Sequence, residues 1–273
     1  MAYSYNSKVV VSGKHVEVYN YKKLVWRDFK KKAQVSVKEK DTQKEPKQLD
    51  LLEQIKIKKQ KQQYSVNRTR TEIRRLINSN PHLDKFMTLT FAKNVTDLKT
   101  ANYIFNQFIK RMTYKYPNFE YLAIPEFQKD IDFYGKKKPN GGSVHYHLLC
   151  KMPFIHFSEI TKMWGQGNID IKTLKKVSNI GAYVCKYLSK DMFDERTFGK
   201  KKFFRSQTLK NPIEIFGLWA KKFADKFLSL LTPTFEKTFE SEWVGEVEYK
   251  AFTLDFLPFK LGVFNRRLLY MPL

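Results

Sequence analysis

The chain has 273 residues, 42% of them hydrophobic, which supplies a core for one large domain or one medium domain with appendages. Fifty-one Lys and Arg against 27 Asp and Glu leave a net charge of +24, an imbalance that calls for a polyanion, and the 15% of aromatic residues favours nucleic acid because rings stack on bases. Membrane spanning is excluded because no apolar run approaches the roughly 20 residues a bilayer needs, and an NTPase or helicase module because no G-x-x-x-x-G-K-[ST] occurs.

Met1 to Tyr19 lacks the long apolar stretch of a signal peptide, and Cys150 and Cys185 form neither a disulfide framework nor a Cys-rich zinc site, so a soluble cytoplasmic protein is expected. Ser4 to Tyr21 alternates weakly, as a hairpin or extended arm would. Lys30 to Gln63 is rich in Lys, Gln and Glu, with a partial helical stripe at Leu49, Leu52, Ile55 and Ile57; it reads as a basic, partly helical linker or a DNA-binding arm. Asn67 to Ser79 reads as a basic helix carrying Arg68, Arg70, Arg74 and Arg75, closed by Pro81.

Phe86 to Phe91 has strand composition. Thr96 or Asp97 caps a helix with Leu98, Ala101, Ile104, Phe105, Phe108, Ile109 and Met112 at three- and four-residue intervals, ending before Pro117. Glu120–Phe127 is the next strand, Lys129–Gly142 a loop, and Ser143–Lys151 another strand. Ser158 caps a short helix ending at Trp164-Gly165, whose indole is expected in the core. Ile169 and Ile171 mark a brief strand, and Ser178 or Asn179 caps a helix running to about Lys190. The order β-α-β-β-α-β-α, with hairpin-type connections, predicts an α+β domain: an antiparallel sheet with helices on one face. Farther on, Asn211 and Pro212 start an amphipathic helix marked by Ile215, Leu218, Trp219, Phe223, Phe227 and Leu230 and ended by Pro233, and Trp243 to Phe256 alternates like a strand or hairpin. Composition divides the chain into a basic arm over 1–65, a central domain over 66–200 and a C-terminal extension or accessory subdomain over 201–273.

Chemistry concentrates in the central region. His145 and His147, two apart on a strand, point to one face and can share a divalent metal. A third ligand should come from a neighbouring strand: Glu126, at the end of the apolar strand that pairs with this one, or Gln128 on the same face. Tyr183 and Tyr187 are four apart on a helix, and Lys186 and Lys190 repeat the offset. A phenol with an ordinary pKa near 10 needs a nearby cation to attack phosphorus, and a lysine supplies it or binds the phosphate. Lys136, Lys137 and Lys138, in the loop before the histidine strand, are natural phosphate contacts.

Together these stretches resemble the HUH endonucleases: Phe86-Met-Thr-Leu-Thr90 is similar to their first motif, His145-Tyr-His147 to the motif that names them, and Tyr183-x-x-Lys-Tyr187-x-x-Lys190 to their tyrosine motif. The doubled tyrosine resembles the rolling-circle replication initiators of phage and plasmid type, over about residues 84–192. The resemblance implies a ferredoxin-like or RRM-like antiparallel sheet and a Mg²⁺ or Mn²⁺ ion. It implies nicking of single-stranded origin DNA in a bacterial host, with a 5′-phosphotyrosine intermediate, strand rejoining, a separate helicase and a host polymerase. Other readings are a transposase or relaxase of the same superfamily and a non-catalytic DNA-binding regulator whose His and Tyr residues are core.

Overall fold

A computed structural model describes residues 3–27, 51–131, 134–175, 177, 180–188 and 194–255. In chain order they form β1 (Tyr3–Ser12), β2 (His15–Arg27), α1 (Leu51–Ser79), β3 (Lys85–Thr90), α2 (Leu98–Lys115), β4 (Glu120–Phe127), β5 (Val144–Lys151), α3 (Phe157–Trp164), β6 (Ile169–Thr173), α4 (Ile180–Leu188), β7 (Phe204–Arg205), β8 (Ile213–Phe216), α5 (Gly217–Phe227), β9 (Phe235–Ser241) and β10 (Gly245–Thr253). The described residues are α+β, with two antiparallel five-stranded sheets. Contacts gather it into two units, residues 1–56 with 211–273, and residues 57–210. Among the described residues no helix is long and apolar enough to cross a membrane.

The first unit is a sheet of order β8-β1-β2-β10-β9. Alternation in β1 and β2 sends Val9, Val11, Val16 and Val18 to one face, where they bury Phe223 and Ala220 of α5 together with Ile215 and Phe252. The weakly alternating N-terminal stretch is thus the centre of a sheet completed by strands about 200 residues later, and the boundaries drawn from composition at 65 and 200 differ from those of the contacts at 56 and 210. Ile215 belongs to β8 and not to a helix starting at Asn211: the strand runs to Phe216, and Gly217, at a φ of +59°, turns the chain into α5. That helix ends at Phe227, ahead of Pro233. The strand or hairpin expected over Trp243–Phe256 is the single strand β10, which pairs with the unanticipated β9 before it; Trp243 lies in the turn between them, 87% exposed, and Phe256 lies outside the described residues.

The second unit is a sheet of order β6-β3-β5-β4-β7. One face, carrying Met87, Leu89, Tyr121, Ala123, Tyr146 and Leu148, packs on α2 and α3. Asp97 caps α2, its carboxylate accepting from the Lys99 and Thr100 amides, and Leu98, Ala101, Phe105, Phe108, Ile109 and Met112 are buried as their spacing predicts. Trp164 is fully buried, and its Nε1–H donates to the Thr90 carbonyl at 3.0 Å. The cap of α3 is His156, with Ser158 Oγ 2.7 Å from its Nδ1, so the helix starts earlier than a Ser158 cap would set it.

The other face carries Phe86, Leu122, Ile124 and Leu149, and these pack on Val66, Ile73, Leu76 and Ile77 of α1 and on Val184 and Cys185 of α4. Helices therefore cover both faces, not one. The reason is legible in β4, whose Tyr121 to Ile124 is apolar at every position: a strand without a polar side must be covered on both.

Candidate functional site

On β5, His145 and His147 leave the sheet on the face shared with α1 and α4, while Tyr146 leaves on the opposite face. Register fixes their neighbours. His145 stands between Glu126 on β4 and Thr90 on β3; His147 stands between Ile124 and Thr88, with Asp170 of β6 beyond Thr88. The Glu126 carboxylate reaches diagonally to His147 and forms an ion pair with its Nε2. Thr88 Oγ1 lies 3.1 Å from His147 Nδ1, and the Phe86 ring stacks on the imidazole with centroids 5.6 Å apart.

His145 is held differently. Its Nε2 is buried without a hydrogen-bond partner. Burial, and then the neighbouring His147, push its pKa below the ordinary imidazole value, which favours the uncharged ring. The His145 and His147 ring centroids are 6.3 Å apart.

Gln128 lies on the same face of the sheet edge, but its Oε1 accepts from Lys138 Nζ at 3.3 Å. Among the described residues no three His, Cys, Asp or Glu side chains stand gathered as a ready-made metal cluster; Glu126 is turned onto His147. The donor set nevertheless suits a divalent ion: two imidazoles and a carboxylate on adjacent strands, one buried imidazole nitrogen unpartnered. His145, His147 and Glu126 are the residues that would hold such an ion, which binds imidazole and carboxylate in their deprotonated forms.

The loop before β5 is anchored at its base. The Asp130 carboxylate accepts from the Gly142 amide at 2.7 Å and from Arg196 at 3.1 Å, and the Arg196 guanidinium lies 4.0 Å from the centroid of the Phe127 ring. The Gly142 amide first, then Arg196, hold Asp130 below the usual carboxylate range. Lys136 and Lys137 are exposed in this loop, whereas Lys138 is half-buried, tied to Gln128 and close enough to His145 to disfavour its protonation.

The tyrosine helix packs on α1. Cys185 Sγ donates to the Arg70 carbonyl at 3.5 Å, and burial raises its thiol pKa. Gly181 permits the approach: a Cβ there would come 2.3 Å from Asn78 Oδ1 and 3.0 Å from the Arg74 carbonyl. With Val184 and Cys185 turned inward, Tyr183 is 38% exposed. It lies within electrostatic reach of Lys172, on the histidine face of β6, whose pKa is raised first by its hydrogen bond to Asp170 and last by the Tyr183 phenol. The side chains of Lys186 and Tyr187, and all of Lys190, lie outside the described residues. The structure thus pairs Glu126 with His147, leaves His145 beside them on the same face with Lys138 tied to Gln128, and sets α4, with Tyr183, over that face of the sheet.

Residues 84–192 match the model of a family described as replication-associated proteins. The match spans β3 through α4, the stretch that holds the histidine strand and the tyrosine helix, and is consistent with a rolling-circle replication initiator. No curated protein and no solved structure matches the chain.

Sequence reasoning singled out the Phe86–Thr90 strand but not Thr88 as the partner of His147; period-2 alternation marks Thr88 as facing the histidine side once β3 is known to pair with β5. Asp130 and Arg196 were also missed, because their contact joins segments 66 residues apart.

Proposed function

We propose that the protein initiates rolling-circle replication by nicking single-stranded origin DNA and later rejoining the ends. The observation that carries this reading is the shared sheet face: His145, His147 and Glu126 lie on it, and the helix bearing Tyr183 and Tyr187 packs over it, inside the region that matches a replication-associated family.

A Mg²⁺ or Mn²⁺ ion held by His145, His147 and Glu126 would supply the positive charge that polarises the scissile phosphate. The protein's own groups do the rest. Thr88 Oγ1 meets His147 at Nδ1 and so orients the ring with Nε2 toward Glu126. A tyrosine hydroxyl, from Tyr183 or Tyr187, attacks phosphorus, a Tyr Oη–P bond forms, the P–O3′ bond breaks, and the 3′ oxygen takes up a proton. Lys186 and Lys190, on the same helical offset as the tyrosines, bind the phosphate or stabilise the phenolate. Lys136, Lys137 and Lys138 contact the flanking backbone.

The phosphotyrosine conserves the energy of the broken bond, so rejoining consumes no nucleotide; unwinding and synthesis fall to a separate helicase and polymerase of the bacterial host, in its cytoplasm. Two tyrosines on one helix favour initiation over single-tyrosine transposition, since the second can release the circle made after one round.

Incubation with single-stranded origin DNA and Mn²⁺ should give a covalent protein–DNA adduct that disappears in the Tyr183→Phe, Tyr187→Phe double variant. An adduct that survives the double change, or none with the wild type across candidate origins, overturns the reading.

A further inference from the structure

The middle of α1 presents a surface with no role in the chemistry above. Its inward side, Val66, Ile73 and Ile77, is buried against the sheet. Lys61, Tyr64 and Arg68 follow at intervals of three and four, so they form one stripe on the side of the helix turned away from that core. All three are exposed, Tyr64 at 73%. From Gln54 to Thr71 the helix carries Lys56, Lys58, Lys59, Lys61, Arg68 and Arg70 and no Asp or Glu.

A helix that needed charge only for solubility gains more from mixed signs, because i,i+4 pairs stabilise it and like charges at that spacing repel. An exposed aromatic ring between two cations adds nothing to solubility. It is the combination that single-stranded nucleic acid uses: cations for phosphates and a ring for a base. The stripe spans about 10 Å of helix, the rise over seven residues, which covers about three phosphates of a duplex strand at 3.4 Å each. Two to ten residues farther along, and partway round the helix from the stripe, α1 touches α4 at Arg70, Arg74 and Asn78, so a strand continuing from the stripe toward the C-terminal end of α1 runs toward the tyrosine helix.

We infer that Lys61, Tyr64 and Arg68 form a track for the DNA backbone, with Tyr64 stacking on an unpaired base. The choice of DNA as partner rests on the nicking reading, but the track is tested without cleavage. Binding of the full chain to a labelled mixed-sequence oligonucleotide is measured by fluorescence anisotropy across a salt series, in EDTA and in the Tyr183→Phe, Tyr187→Phe background. Lys61→Gln with Arg68→Gln should weaken binding at least tenfold in low salt. The slope of log K against log salt should flatten by about 1.4 for a single strand or about 1.8 for a duplex, the loss of two phosphate contacts.

Lys99→Gln with Lys110→Gln, exposed on α2 across the sheet, removes the same charge and should change the slope by less than half as much. Tyr64→Ala should weaken single-strand binding and spare duplex binding. Equal losses from the α1 and α2 pairs would overturn the track and leave a diffuse charge effect; an unchanged single-strand affinity in Tyr64→Ala would overturn the stacking. Failure of the adduct assay alone touches neither result.

Discussion

Thr88 Oγ1 lies 3.1 Å from His147 Nδ1 on the adjacent strand, while the opposite nitrogen of the same ring meets Glu126. One hydroxyl therefore orients the imidazole that a cation would share with a carboxylate. Thr88→Val keeps the shape and removes the oxygen. The Mn²⁺ affinity measured by calorimetric titration should fall about 10- to 100-fold, as for other outer-shell partners of a metal ligand, with the fold retained. An unchanged affinity would show that Phe86 stacking alone holds the ring.

Tyr146 separates the two histidines in sequence and faces away from them. Its hydroxyl donates to Asn102 Oδ1 at 2.7 Å, and its ring stacks on Phe105 with centroids 4.2 Å apart. Tyr146→Phe should cost about 0.5–1.5 kcal/mol of stability through the lost hydrogen bond, read from urea denaturation. It should leave Mn²⁺ binding at the wild-type value, whereas His145→Ala with His147→Ala should abolish that binding. Lost metal affinity in Tyr146→Phe would contradict the opposite-face assignment.

Gly181 sets how closely α4 approaches α1. Gly181→Ala puts a methyl against Asn78 Oδ1 and the Arg74 carbonyl, and only the first can swing aside. The expected cost is about 1–3 kcal/mol of overpacking, with a matching fall in adduct yield as the tyrosine helix is displaced. Adding Asn78→Ala should restore part of both. A fully stable, fully active Gly181→Ala would mean that the helix tolerates a wider seat.

Asp130 ties the two ends of the lysine-bearing loop together and to Arg196, and its pKa is held below 3.8 chiefly by the Gly142 amide. The folded state therefore favours the carboxylate: its contribution is complete above 3.8 and is lost as pH falls through the lower folded value. Between about pH 5 and pH 2.5 the wild-type melting temperature should drop further than that of Asp130→Asn, which does not titrate. The group is exposed, so the difference should be small. A larger drop in the variant would reverse the assignment.

Local pattern made the strands and helices of the candidate site readable. The spacing from Leu98 to Met112 is a helix because 3.6 residues per turn puts those side chains on one stripe. His145 and His147 share a face because strand side chains repeat every two residues. Glu126 as their neighbour was legible too, since it closes the apolar strand that pairs with β5. What no local pattern carried was pairing across distance. Ile215 looked helical beside Leu218 and Trp219, and only its docking on Val9 in β1 makes it a strand residue.

Composition, periodicity and residue spacing by themselves determined which short segments become strands and helices and which of them bear imidazole, phenol and ammonium groups. The tertiary structure decided that β1 and β2 join strands from the far end of the chain, that α1 and α4 share the histidine face, and that Thr88 and Asp130 hold the site in place. The physical reason is that propensity and amphipathicity act over a few residues, whereas sheet order and burial are chosen by the total apolar surface that distant segments can remove from water together.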